Sequence, residues 1–326
     1  MVATTGIAGC LGRGGGSLDS VTVAYVPIYP NMQHYVMEQE NYYEDVPADI
    51  IVERFSSGPS VVKAFASGDV DVALFGITPA MVLVDKGTNA GILAANSKNG
   101  FRIMATTELV DLYEQEGPNT FERFEKEHGR KIRFGGPPSG SVPDIVLRYW
   151  IQEGLDVGEM DSVITKLKVS PAMAVQTIQS GDIDATIIQE PFATVIEQDN
   201  GFGELSWSGS ILENHPVTVL FANQKVIDDR EISQSLVEQH ISATEFTADS
   251  PDTAAGHAAS VIGSGVSESL AMAAMDSRAS SFTSNPHQIT DQAATMCEFV
   301  ANVGNTEEPI ATENLFAYES YDAIQG

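Results

Sequence analysis

One short phrase occurs twice in this sequence, and it constrains the fold more than any other feature. Residues 67–71 read Ser-Gly-Asp-Val-Asp, and residues 180–184 read Ser-Gly-Asp-Ile-Asp. Each copy follows a helix-like stretch and leads through an apolar strand to a Pro-started helix. The glycine is typical of a helix C-cap and the proline of a helix start. The repetition predicts two similar α/β lobes, and a cleft between such lobes is a common binding site.

Strand-like and helix-like segments alternate along the sequence. Apolar runs such as residues 71–75 read as buried strands, and turn residues and a helical pattern follow them. This alternation predicts a mainly parallel α/β sheet that is covered by helices. The apolar run at residues 215–222 is placed to carry the chain back to the first lobe. We therefore expect residues 20–108 and 214–326 to form lobe 1, and residues 109–213 to form an inserted lobe 2.

Charge is the strongest compositional signal. The 326 residues include 45 acidic and 17 basic side chains, which gives a net charge of −28. This balance argues against a nucleic-acid partner, because that binding relies on Lys and Arg that neutralise phosphates. The sequence has no apolar run of about 18 residues or more, so it predicts no membrane-spanning helix. An acidic surface spread over the whole chain suits solubility in concentrated salt and predicts a halophilic source, here a haloarchaeon.

The two cysteines have different surroundings. Cys10 follows Gly-Ile-Ala-Gly and precedes a Gly-rich stretch, a pattern that resembles the lipobox of prokaryotic lipoproteins. Residues 1–19 are therefore predicted to be a lipobox and a flexible tether, with Cys10 acylated. Only nine residues precede Cys10, fewer than a signal peptide needs, and an incidental cysteine in an unstructured N-terminus is the alternative. Cys297 lies in an apolar stretch and is predicted to be a small buried side chain.

Two loops carry residues that are typical of an anion site. Thr78 and Pro79 follow a buried strand, and Ser139, Gly140 and Ser141 precede a proline in the second lobe. A hydroxyl at the N-cap and a proline at the first helical position predict a helix start whose N–H groups and dipole favour an anion. Gly76 and Gly140 let the backbone approach a ligand closely. Ser and Thr also cap helices where no ligand binds, and that alternative stays open.

Gln189 and Glu190 follow the second copy of the phrase. They lie at the carboxyl end of a strand, where open α/β sheets bind ligands. Glu190 is placed to accept a hydrogen bond from an amine or a hydroxyl, or alternatively to stabilise the start of the next helix. The sequence has no nucleophile elbow, no phosphate-binding loop and no metal-ligand spacing among its six histidines. It therefore predicts a protein without catalytic residues, metal or cofactor.

Three ordered segments together resemble the nitrate, sulfonate and taurine group of ABC-transporter solute-binding proteins. They are residues 71–87 with Gly-Ile-Thr-Pro-Ala, 131–156 with Pro-Ser-Gly-Ser, and 180–191 with Gln-Glu-Pro. The resemblance implies a type II periplasmic-binding-protein fold, with ligand between two hinged lobes. It implies that the loops after the strands hold the ligand, and so the following residues: Tyr29, Asn31, Gly76, Ile77, Thr78, Ser139, Gly140, Ser141, Gln189 and Glu190.

The resemblance also implies a function. We expect a lipid-anchored monomer on the outer face of the membrane that captures a small anionic solute, such as a sulfonate, taurine or nitrate, and delivers it to an ABC permease. Two alternatives stay open. Related proteins bind a thiamine-precursor pyrimidine, and Pro30-Asn31-x-x-His34 resembles their N-terminal segment. Enzymes on the same fold, such as a menaquinone-pathway lyase, form the second alternative.

Overall fold

The computed structural model describes residues 18–263 and 266–326, and it contains two β-sheets with helices packed on them. Cys10 and the predicted lipobox lie outside the described residues. The strands of the first sheet are β1 Ser20–Tyr25, β2 Asp49–Arg54, β3 Val72–Gly76, β4 Ala90–Lys98, β10 Pro216–Asn223 and β11 Ser281–Phe282. Those of the second sheet are β5 Arg102–Thr106, β6 Ile132–Gly136, β7 Ile164–Lys168, β8 Ala185–Ile188 and β9 Phe202–Trp207.

The helices follow the strands in the alternation that the sequence predicts. They are α1 Met32–Gln39, α2 Gly58–Ser67, α3 Ile77–Asp85, α4 Thr107–Glu116, α5 Thr120–His128, α6 Val142–Tyr149, α7 Met160–Val163, α8 Pro171–Gln179, α9 Phe192–Glu197, α10 Ser208–Ile211, α11 Gln224–Asp228, α12 Arg230–Asp249, α13 Pro251–Ile262, α14 Glu268–Met275, α15 Thr290–Asn302, α16 Thr312–Leu315 and α17 Glu319–Gln325. None of the described helices is long and apolar enough to cross a membrane.

The two sheets share one strand order. The first sheet runs β2-β1-β3-β10-β4-β11, and the second runs β7-β6-β8-β5-β9. The first five strands correspond one to one, and β11 is an additional edge strand of the first sheet. In each sheet the strand that enters from the other half of the molecule is antiparallel to both of its neighbours: β10 in the first sheet and β5 in the second. We call the first sheet and its helices lobe 1, and the second sheet and its helices lobe 2.

This exchange of strands changes one expected lobe boundary. The sequence predicts residues 101–108 at the end of lobe 1, whereas β5 pairs with β8 and β9 of the second sheet. The apolar pattern of β5 shows that the strand is buried, but it does not show which sheet it joins. The chain therefore crosses between the lobes before Arg102, and it returns through residues 208–215 into β10.

The two crossings lie side by side and form the connection between the lobes. Ser208 donates its backbone N–H to the carbonyl of Phe101 at 3.0 Å, and Phe101 donates its own N–H to the Ser208 hydroxyl at 3.0 Å. Asn99 donates its backbone N–H to the carbonyl of His215, also at 3.0 Å. Two adjacent crossings of the chain between two lobes are an arrangement that permits hinge motion.

The two copies of the repeated phrase adopt the same geometry. In each copy the glycine has a positive φ, +82° in the first and +75° in the second, and it follows a helix. The second aspartate of each copy accepts a hydrogen bond from the backbone of the neighbouring strand: Asp71 from Thr22 at 3.0 Å, and Asp184 from Arg133 at 2.8 Å. The phrase therefore fixes equivalent strands, β3 and β8, in the two lobes. The prediction of two similar α/β lobes is confirmed.

The core lies on both faces of each sheet. The central strands β3 and β8 are buried, as expected for a covered parallel sheet, whereas Ile51 on the edge strand β2 is 49% exposed. Helices α12 and α13 pack on α1 of lobe 1. Helix α15 reaches lobe 2, where Phe299 packs edge-on against Tyr149 of α6 with ring centroids 5.3 Å apart. Cys297 on α15 is buried as predicted, and burial raises the pKa of its thiol to about 12.

Candidate functional site

The carboxyl ends of the two sheets face each other and are in contact. Thr78, which is 1% exposed, donates its hydroxyl to the Gly140 carbonyl of lobe 2 at 2.8 Å. A Cβ on Gly76 would lie 2.9 Å from a methyl group of Val142, so a side chain at this position would force the lobes apart. The structure thus brings together three residues that the sequence predicted from two distant loops. The lobes are closed on one another at this point.

Thr78 occupies a different helical position from the one that the sequence predicts. Helix α3 begins at Ile77 with Gly76 as its N-cap, so Thr78 is the second helical residue and its side chain does not cap the helix. The apolar pattern continues from β3 into α3 without a break, and the sequence therefore does not show where the strand ends. Ile77 is fully buried, so its side chain belongs to the core.

The loop of Ser139, Gly140 and Ser141 is held by protein groups. Ser141 is the N-cap residue of α6, but its hydroxyl donates to the carbonyl of Pro138 at 2.7 Å. Gly140 has a φ of +81° and donates its N–H to the carboxylate of Asp144 at 2.8 Å. Ser139 is exposed. One of the N–H groups that was expected to meet an anion is therefore already paired with a carboxylate.

Asp144 is a residue that sequence reasoning missed. Its carboxylate is buried, it forms an ion pair with Lys166, and Arg148 donates to it at 3.4 Å. Asp144 lies three residues after Ser141, which is the spacing of a capping box, and this spacing was the available signal. Because two cations and one backbone N–H meet it, Asp144 fixes the loop on the lobe 2 side of the cleft.

Tyr29 and Asn31 follow β1 and are both buried. The Asn31 amide donates to the carbonyls of Val26 and Leu74, at 2.9 Å each, and its oxygen accepts from Asn96 at 3.0 Å. Asn31 therefore holds the loop after β1, and its contacts do not show a ligand-binding role. Tyr29 donates its hydroxyl to the Ala271 carbonyl at 2.7 Å, and burial together with the charge of Glu190 raises its pKa.

Gln189 and Glu190 lie at the carboxyl end of β8 and are buried. One carboxylate oxygen of Glu190 accepts from the backbone N–H of Thr194 at 3.0 Å and from the Thr194 hydroxyl at 2.8 Å. Its other oxygen lies 3.4 Å from a guanidinium nitrogen of Arg102. These contacts support the second of the two roles predicted for Glu190, in which its carboxylate stabilises the start of α9.

Arg102 is the centre of an ion-pair cluster that sequence reasoning did not find. Its guanidinium group meets the carboxylates of Glu190, Glu197 and Glu204, which come from three separate segments of lobe 2. Burial lowers the pKa of Arg102, but its hydrogen bonds to Glu197 and Glu204 outweigh this and raise it. The sequence separation of these residues, about 100 positions from Arg102 to Glu204, leaves no local pattern to recognise.

A cavity of about 270 Å³ opens beside this cluster. We call it the interlobe cavity, because its walls come from β5, α9 and β9 of lobe 2 and from α14 with the segment after it. Helix α14 packs on α13, and α13 packs on α1 of lobe 1. Its lining residues are Arg102, Thr194, Glu197, Glu204, Ala273, Asp276, Ser277 and Arg278. Arg278 closes one side, since its guanidinium lies 4.8 Å from the centroid of the Trp207 ring and pairs with Glu204.

The described residues contain no cluster of three His, Cys, Asp or Glu side chains that could hold a metal ion. The histidines near the cleft are buried among protein groups. His34 stacks on Tyr25 with ring centroids 3.9 Å apart and shares a 2.8 Å hydrogen bond with Tyr43. Burial lowers the pKa of His34 to about 3, so the ring is neutral near pH 7.

The sequence model of the NMT1-like family matches residues 14–263. The chain belongs to the NMT1-like family. Three solved structures illustrate the fold that it shares. The ligand-binding component of an ABC-type import system from Staphylococcus aureus, solved with zinc bound, has a TM-score of 0.72 and 17% identity, and the match covers 93% of this chain and 98% of that chain.

The second structure is the periplasmic aliphatic sulphonate binding protein from Escherichia coli, with a TM-score of 0.71 and 14% identity over 92% of each chain. The third is the periplasmic nitrate-binding protein from Synechocystis PCC 6803, with a TM-score of 0.72 and 15% identity over 94% of this chain and 88% of that chain. No curated protein matches this NMT1-like chain. The similarity over nearly the whole chain confirms the type II periplasmic-binding-protein fold.

Proposed function

We propose that this NMT1-like protein is the solute-binding component of an ABC importer and captures a small solute by hinge closure. The solved structures of the same fold include an ABC-import ligand-binding component, a sulphonate-binding protein and a nitrate-binding protein. The observation that carries the proposal is the hydrogen bond from Thr78 of lobe 1 to Gly140 of lobe 2, made at the facing ends of two sheets. Two lobes that join through two paired crossings and meet at this contact have the parts that closure needs.

The mechanism follows from these parts. In the open form the loops after β3, β6 and β8 are separated, and a solute reaches them from water. A solute that contacts both lobes binds the closed form more tightly, and it shifts the population toward that form by its differential affinity. A membrane permease then recognises the closed protein. This role places the protein on the outer side of the membrane, with the proposed acyl group on Cys10 as its anchor and a monomer as the working unit.

The proposed solute class is a small acid of the sulfonate, taurine or nitrate type. Helix α3 supports it, because it starts at the cleft, has nine residues and carries no acidic side chain in its first turn. The positive end of its dipole favours an acidic head group. The pyrimidine alternative rests on the resemblance of Pro30-Asn31-x-x-His34 to the N-terminal segment of pyrimidine-binding proteins. The Asn31 and His34 side chains are buried and bonded to protein groups, so these two side chains supply no contact that favours a pyrimidine.

Calorimetry and small-angle scattering together test the proposal. Purified protein is titrated with taurine, ethanesulfonate, nitrate and an aminopyrimidine, and the radius of gyration is measured with and without each compound. We expect one of the acids to give a saturable binding curve. If the free protein is open, that acid should reduce its radius of gyration; if the free protein is already closed, the radius should stay the same. Binding of the aminopyrimidine alone would contradict the acid class. A protein whose lobes never close with any solute, or that turns over a substrate, would contradict the receptor function.

A further inference from the structure

Helix α15 and the loop after it leave lobe 1 and return to it. Before the helix, Ala95 of β4 donates its backbone N–H to the carbonyl of Ser284 at 3.1 Å. After the loop, Ala317 donates its N–H to the carbonyl of Ile92, also on β4, at 2.9 Å. Helix α16, which follows the loop, packs on α3 and β4. We call residues 290–308 the α15 arm, and both of its ends are anchored on lobe 1.

The far side of the α15 arm contacts lobe 2. Phe299 is 5% exposed and packs edge-on against Tyr149 of α6, with ring centroids 5.3 Å apart. The side chain of Asn305 lies against Gly140, because a Cβ on that glycine would be 3.5 Å from the Oδ1 atom of Asn305 and 3.6 Å from its Nδ2 atom. Gly140 also accepts the hydrogen bond from Thr78 of α3. The α15 arm and α3 therefore meet lobe 2 at the same loop.

The position of the α15 arm is fixed by contacts within lobe 1. Gly304 has a φ of +79°, and the N–H of Asn305 donates to the carbonyl of Val300 at 3.0 Å. A glycine in this conformation and this backward hydrogen bond are features of a Schellman motif, which ends a helix and sets the direction of the chain after it. Glu307 then donates its N–H to the carboxylate of Asp85, the last residue of α3, at 2.9 Å. None of these contacts involves lobe 2, so they persist when the lobes separate, whereas the contacts with lobe 2 are lost.

We propose that Phe299 is a positioning residue for closure, and that the α15 arm is a latch that holds lobe 2 in the closed position before a solute binds. The proposal rests on the receptor function and adds a means by which its closed form is regulated. An edge-to-face aromatic pair adds to the effect of buried area, and its contribution corresponds to about a twofold to tenfold change in an equilibrium. The latch therefore lowers the open population by that factor, and it limits how often a solute enters or leaves the cleft.

A buried reporter thiol measures the open population without any solute. Val142 of lobe 2 is 4% exposed, and one of its methyl groups lies 2.9 Å from the position that a Cβ on Gly76 of lobe 1 would take. In Val142→Cys protein a small thiol reagent therefore reaches residue 142 when the lobes open. The labelling rate is proportional to the open population if opening and closing are fast compared with labelling. The labelled peptide is quantified by mass spectrometry, so Cys10 and Cys297 do not contribute.

A set of ring substitutions in this background tests the latch. Phe299→Leu keeps an apolar side chain and removes the ring, so it should raise the labelling rate about twofold to tenfold. Tyr149→Leu should do the same, and combining it with Phe299→Leu should add little, because the pair is lost only once. Tyr149→Phe keeps the ring and should label at the rate of the Val142→Cys parent. Phe65→Leu is the matched control: it removes a ring that lies 5.1 Å from that of Phe221 inside lobe 1, so it should lower stability and leave the labelling rate unchanged.

The outcomes separate the latch from the proposed function. If Phe299→Leu labels no faster than Phe65→Leu, the α15 arm does not hold the lobes and the inference is wrong. The inference is also wrong if the Val142→Cys parent labels as fast as the same protein in urea, because the lobes are then open without a solute. Neither result bears on the receptor function, which the solute titrations test. If labelling follows the inference but no solute binds, the α15 arm still holds the lobes together and the receptor function fails.

Discussion

The hydrogen bond from Thr78 to Gly140 allows a direct test of the closure mechanism. Replacing Thr78 by Val exchanges the hydroxyl for a methyl group of similar size, so the buried side chain keeps its packing. In the closed form the Gly140 carbonyl then loses its 2.8 Å donor. In the open form water reaches both groups, so the substitution costs little there. The loss therefore acts mainly on the closed form.

The magnitude follows from the value of one hydrogen bond. A neutral intramolecular hydrogen bond contributes about 1 kcal/mol net, and a buried carbonyl left without a donor costs a similar amount or more. A change of about 1 kcal/mol lowers the ratio of closed to open protein about fivefold. Because the solute binds the closed form, its apparent Kd rises by the same factor where the free protein is mainly open; where the free protein is mainly closed, the change appears instead as a larger radius of the free protein.

Titration calorimetry on wild type, Thr78→Val and Thr78→Ser measures this effect. Serine keeps the hydroxyl, so Thr78→Ser should bind close to wild type, whereas Thr78→Val should bind more weakly, by up to about fivefold. Small-angle scattering of the apo forms should show a larger radius for the valine variant alone. Equal Kd values and equal radii for the valine and serine variants would refute the argument that this contact holds the lobes closed.

Three further predictions concern the ion pairs. Asp144→Asn leaves Lys166 without its buried partner and should lower the free energy of unfolding by about 3 kcal/mol, measured by urea denaturation. Arg278→Ala should weaken closure by about 1 kcal/mol in low salt, and its effect on the radius of gyration should shrink in about 1 M salt because the pair is exposed. Burial raises the pKa of Asp184, but its arginine partners outweigh this and lower it from 3.8 to about 2. Its stabilisation is therefore complete above about pH 4 and lost as the pH falls through about 2. The Asp184→Asn variant should therefore lose less thermal stability than the wild type when the pH falls from about 4 to about 2.

Much of the fold could be predicted from the sequence because its signals are local. The repeated phrase fixes a helix end, a turn and a strand within about ten residues, and the structure shows equivalent contacts for Asp71 and Asp184. The strand β5 could not be assigned in the same way. Its side chains indicate burial, but its sheet is decided by pairing with β8 and β9, about 80 to 100 residues away.

The candidate site was predictable at the level of loops and not at the level of contacts. Thr78 and Gly140 were each predicted from a helix start, and the structure joins them. The family resemblance implies a ligand-binding role for Asn31, but its amide is bonded to Val26, Leu74 and Asn96, and only the folded arrangement shows that these partners are present. The partners of Arg102 lie between residues 190 and 204, 88 to 102 positions from it along the chain, so its ion pairs cannot be read from any one stretch of sequence.

The duplicated architecture explains why the two lobes offer different charges to a solute. After β3 the chain enters α3 through Gly76 and Ile77, without an acidic residue in the first turn, so the positive end of the helix dipole is uncompensated. After β8 the equivalent position holds Glu190, whose carboxylate accepts the Thr194 N–H at the start of α9 and cancels that end of the dipole. The same strand order thus gives two helix starts that differ in charge, because only the start of α9 is already paired with a carboxylate of the protein.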